Sequence, residues 1–89
     1  MERQLELQKF HYFDEGNSYA GERVKDADKG LRLRYRVEPN KEESVFLVYA
    51  WEEDLCFQRA HDIEQKTYPF SEEGLEQAVD WLEEKYAAL

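Results

Sequence analysis

Apolar and basic side chains alternate strictly through Leu31-Arg32-Leu33-Arg34-Tyr35-Arg36-Val37, which predicts a strand over 31–37 with one buried face. Residues 44–51 are apolar on both faces and predict an interior strand. Between them, Glu38-Pro39-Asn40-Lys41-Glu42-Glu43 is a turn-forming stretch whose proline should end the first strand. Pairing the two as a hairpin with Tyr35 opposite Leu47 sets Leu33 by Tyr49, Val37 by Val45 and Leu31 by Trp51. Every pair on one face is then apolar, and a one-residue slip destroys the match. After the acidic turn Glu52-Glu53-Asp54, a third strand is expected at 55–60, with Trp51 facing Leu55 and Tyr49 facing Phe57. Arg59 and His61 would fall on its core side, so it should bulge or end there.

The first aromatic segment, 5–13, reads as a further strand. Leu5 and Leu7 are out of phase with Phe10 and Tyr12, so either a bulge sits near Gln8-Lys9 or residues 2–9 form a short helix. Residues 14–30 carry eight charges, Gly16-Asn17-Ser18 and Gly21, and read as a long charged loop. The helix signals are stronger. Ser71 is a good N-cap, Glu72 and Glu73 suit the first turn, and Phe70 is placed to staple onto Leu75. Leu75, Ala78, Val79, Leu82 and Tyr86 recur at helical spacing, with Trp81 on their flank, and predict a helix over 72–87. Its apolar stripe must pack on the sheet. The expected fold is α+β: an antiparallel sheet of three to four strands with one C-terminal helix on one face, a single small domain over 1–89.

Charge changes the picture next. Twenty-one acids against twelve bases in 89 residues give a net charge of −9, which argues against direct nucleic-acid binding and against an anionic membrane as partner. The acid is unevenly placed: residues 71–89 and 38–54 sum to −5 each, whereas 31–37 sum to +3. On a helix, Glu73, Glu76, Asp80, Glu83 and Glu84 occupy one arc opposite the apolar stripe, offset only by Lys85. Glu72 with Glu76, Glu76 with Asp80 and Asp80 with Glu84 are repulsive i,i+4 pairs. A solvated face that aids solubility accounts for such a row, and so does a surface that meets a basic partner by imitating a phosphate backbone. The sheet face away from the helix should carry Arg32, Arg34 and Arg36 beside Phe46, Val48 and Ala50, then Cys56, Gln58 and Ala60. Loop 14–30, a second copy of the chain or a ligand would have to cover it.

Dedicated chemistry is absent from the sequence. There is no glycine-rich phosphate loop, nucleophile elbow, HExxH motif or zinc-ligand spacing, and no cofactor or metal is expected. Asp26-Ala27-Asp28-Lys29-Gly30 starts like a calcium loop but lacks the remaining ligands. The lone Cys56 and the lack of a long apolar run suggest a cytoplasmic protein. Three readings follow. The first is a non-enzymatic interaction protein that uses Glu73, Glu76, Asp80, Glu83, Glu84, Glu52, Glu53 and Asp54 to bind a basic, nucleic-acid-binding protein, as a DNA-mimicking inhibitor would. The second is a structural domain that self-associates through the Arg32, Arg34, Arg36, Phe46 and Val48 face. The third is a small enzyme using Cys56 and His61, with His61-Asp62 as an oriented base and His11, on the expected first strand, as a further candidate.

Overall fold

A computed structural model describes residues 9–52 and 58–89. The elements in chain order are α1 (Phe10–Asp14), β1 (Tyr19–Asp26), β2 (Leu31–Asn40), β3 (Val45–Trp51), β4 (Glu64–Pro69) and α2 (Glu72–Ala87). The strands form an antiparallel sheet in the order β1-β2-β3-β4. The C-terminal helix packs on one face of it, giving the expected α+β fold.

The helix lies where its periodicity placed it. Ser71 is extended and its Oγ accepts from the Gly74 amide at 3.0 Å, with Glu72 and Glu73 in the first turn. Leu75, Ala78, Val79 and Leu82 are buried against the sheet, and Trp81 joins them rather than standing aside. At the other end, Lys25 of β1 donates to the carbonyls of Tyr86, Ala87 and Leu89 at 3.1–3.2 Å, satisfying oxygens that the last helical turn leaves open.

Three assignments differ from the sequence reading. Phe10–Asp14 is a short helix, not the end of a strand. Phe10 and Phe13 are one helical turn apart, and both rings meet Phe46 edge-on, at 6.1 and 5.4 Å. Gly16, at φ +94°, turns the chain out of it. The part of the expected first strand at 5–8 lies outside the described residues. Second, the stretch expected as loop 14–30 contains the edge strand β1. Its charges lie in a strand exposed over most of its length, and Gly21 leaves room for the Tyr35 ring on the paired strand. Asp26 Oδ1 accepts from the Asp28 and Lys29 amides and Gly30 has φ +71°, so the supposed calcium loop is a hairpin turn. Third, the fourth strand is Glu64–Pro69 instead of 55–60. Gln58 and Arg59 lie in a turn, and 53–57 lie outside the described residues.

The β2–β3 register also differs. Tyr35 pairs with Ala50 and Val37 with Val48, because β2 runs on through Pro39 and Asn40 and leaves a four-residue turn, 41–44. The β1 ladder stops at Val37, so proline is accommodated where β2 has become an edge on that side. A three-residue shift is odd and inverts the faces of β3. Phe46, Val48 and Ala50 are therefore in the core with Leu33, Tyr35 and Val37, not on the arginine face. Phe46 is drawn there by Phe10, Phe13 and Phe70.

Candidate functional site

Two surfaces emerge from this arrangement, one on each layer. On the helix layer, Glu72, Glu73, Glu76, Asp80 and Glu84 are exposed along the outside of α2, while Glu83 is half-buried. With a helical rise of ~1.5 Å per residue, the row from Glu73 through Glu76 and Asp80 to Glu84 is spaced at roughly 4.5–6 Å. The helix has one base, Lys85, and it is turned away from that row. Its ammonium is ion-paired with Glu64 of β4 and lies 5.7 Å from the centre of the Trp81 ring. Lys66 approaches the same ring at 5.8 Å. Lys85 and Lys66 therefore both lie on the β4 side of the helix, while Lys25 of β1 sits at its C-terminal end.

The hairpin turns extend this charge at the two ends. Phe70 donates its amide to the Ser44 carbonyl at 3.0 Å and Val45 pairs with Pro69, which brings the 41–44 turn to the N-terminal end of α2. Exposed Glu42 and Glu43 thus share an end of the molecule with Glu72 and Glu73. Sequence reasoning missed both as site residues because it placed the acid of the first turn by sum alone. Glu52 is at the opposite end, while Glu53 and Asp54 lie outside the described residues. Glu84 acts beyond its own row: burial and then the Glu84 carboxylate raise the Tyr68 phenol above its ordinary value.

On the other layer, the face of the sheet turned away from α2 carries Ala20, Glu22 and Val24 of β1, the arginines and Glu38 of β2, Val45, Leu47, Tyr49 and Trp51 of β3, and Gln65 and Thr67 of β4. The arginines of the expected dimer face are present, whereas Phe46 and Val48 are not. One cross-strand pair and one within β2 order the charge: Arg34 meets Glu22 of β1 at 2.5 Å, and Arg36 grips Glu38 two residues along its own strand through Nε at 2.7 Å and a terminal nitrogen at 2.6 Å. Burial, followed by Glu38, raises the Tyr49 phenol, against a smaller lowering by Arg36.

Of the residues in the enzyme reading, the described part of the chain places His11, His61 and Asp62. His11 is exposed on α1 and pairs with Glu15 at 3.0 Å, near the Phe46 end of β3. His61 and Asp62 lie at the opposite end, where a cleft of about 530 Å³ is lined by Leu33, Trp51, Glu52, Glu64 and Lys85 among others. Cys56 lies outside the described residues. Among those described, no three potential ligands gather to hold a metal, and no helix is long and apolar enough to cross a membrane. Compared with family models, curated proteins and solved structures, the chain matches none of them.

Proposed function

We propose that the protein is a small acidic interaction module that places the outer face of α2 on a basic surface of another macromolecule. The observation that carries this reading is the row Glu73, Glu76, Asp80 and Glu84 combined with the withdrawal of Lys85 toward Glu64 and Trp81. A face that served solubility alone would gain from interspersed lysines, each repulsive i,i+4 pair costing a few tenths of a kcal/mol. The spacing of roughly 4.5–6 Å is somewhat wider than the ~3.4 Å rise per phosphate along one DNA strand. The row therefore imitates the charge of a phosphate backbone and not its spacing, and a nucleic-acid-binding protein with a basic groove is the partner we favour. Glu42 and Glu43 lengthen the acidic surface beyond the helix N-terminus.

The test is affinity capture from the native host by the wild-type protein and by the triple variant Glu73→Lys, Glu76→Lys, Asp80→Lys. Basic proteins retained by the wild type should be lost with the variant, lost at moderate salt and displaced by added duplex DNA. Equal retention by the triple variant, with its circular dichroism unchanged, overturns the reading.

A further inference from the structure

We infer that the arginine-bearing face of the sheet is the contact surface for a second copy of this chain, joined face to face about a two-fold axis. Both helices lie on the other side of the sheet: α1 through its Phe10 and Phe13 contacts with Phe46, and α2 through its buried stripe. Among the described elements, none packs over this face. Along β3 it presents a partly buried apolar line, Val45, Leu47 and Tyr49, which ends at the buried Trp51 and is bordered on β2 by three arginines and Glu38. Val24, at 41% exposure, stands at its corner on β1.

Charge identifies the occupant. Glu22, Arg32, Arg34, Arg36 and Glu38 sum to +1 on a chain of −9, so the rest of the molecule carries the whole acidic excess. A basic partner is drawn to the other layer, and an acidic one meets arginines already engaged with Glu22 and Glu38. A second copy avoids its own repulsion only here. Face-to-face packing stacks helix, sheet, sheet and helix at spacings of about 10 Å, which holds the two acidic helices roughly 30 Å apart, well beyond the ~8 Å screening length at physiological salt. Self-complementarity suits a two-fold interface, because the face holds both members of its charge pairs and an apolar centre that can meet itself.

Four strands at ~4.8 Å and about seven residues at ~3.3 Å give a plate of roughly 440 Å² in plan, below the ~800 Å² per partner of a standard interface even before side-chain relief is added. The dimer should therefore be reversible, with dissociation in the micromolar range. Sedimentation velocity from about 1 μM to about 500 μM should show the mass rising from monomer toward dimer. Leu47→Glu, in the apolar line, and Val24→Glu, at its exposed corner, should each shift that transition to at least ~10-fold higher concentration with circular dichroism and melting preserved. The triple helix variant Glu73→Lys, Glu76→Lys, Asp80→Lys should dimerise like the wild type, so loss of partner capture and loss of dimer are read separately. A wild-type mass that stays monomeric across the range overturns the inference. So does a dimer that survives both face variants, or retention of a DNA duplex by this face at low salt that Arg32→Ala abolishes.

Discussion

Gly74 is held where no other residue fits. A Cβ built there would lie 1.8 Å from the Pro69 carbonyl oxygen and 2.8 Å from its carbon, and both are backbone atoms at the strand-to-helix junction. Helix propensity alone would favour alanine by about 1 kcal/mol. The overlap outweighs it, because neither the start of α2 nor the end of β4 can withdraw without losing the Ser71 cap or the pairing of Pro69 with Val45. Gly74→Ala should lower stability by about 2 kcal/mol or more, read as a lower urea midpoint, and an unchanged or raised midpoint contradicts this packing. Gly21 is the milder case, since the atoms facing it belong to the far end of the Tyr35 side chain. The tyrosines Tyr49 and Tyr68 set a response to pH. Below the ordinary phenol value of 10.0 both folded and unfolded chains keep these protons, so they contribute no pH dependence. Above it the unfolded chain releases protons that the folded chain retains, and stability falls as pH rises. Comparing Tyr49→Phe, Tyr68→Phe with the wild type isolates that contribution from the lysines: the double variant should lose less stability between neutral and strongly alkaline pH.

The outer row of α2 makes a prediction in which fold and function part company. Glu76 is repelled by Glu72 and by Asp80, so Glu76→Lys turns two unfavourable pairs into favourable ones. Stability should rise by roughly 0.5–1 kcal/mol, while binding to a basic partner weakens. A variant that is destabilised, or stabilised with binding intact, separates the row from the role assigned to it. This helix was the element most open to sequence reasoning. Its cap, acidic first turn and apolar stripe all point to the same boundaries, so the sequence pattern alone places the exposed carboxylates on its outer face. The strands were harder for identifiable reasons. β2 was legible because arginines alternate with apolar residues, but β3 is apolar on both sides and its phase could not be read. The choice fell to an aromatic cluster built from Phe10, Phe13 and Phe70, distant in sequence. Charge hid β1, and β4 is largely polar: Lys66 and Glu64 answer to Trp81 and Lys85 of the helix rather than to a sheet pattern.

Across the whole chain, charge sets two responses to salt that should run in opposite directions. The excess of nine negative charges repels itself in the folded state, most strongly along α2 and at the end of the molecule that Glu42 and Glu43 share with Glu72 and Glu73. Screening relieves that repulsion. It also weakens the attractive pairs Arg34 with Glu22, Arg36 with Glu38, and Lys85 with Glu64, but such partly exposed pairs contribute only about 0–1 kcal/mol each. Repulsion therefore dominates, and raising salt from about 10 mM to about 500 mM, which shortens the screening length from ~30 Å to a few Å, should raise the melting temperature. A gain of about 1 kcal/mol would appear as roughly 4–8 °C in a domain of this size. Over the same range, capture of a basic partner should fall. The dimer, joined through a nearly neutral face with its acidic helices outside, should hold or strengthen slightly. A melting temperature that falls with salt would mean that the ion pairs outweigh the acidic row, removing the physical ground for reading that row as held against its own repulsion.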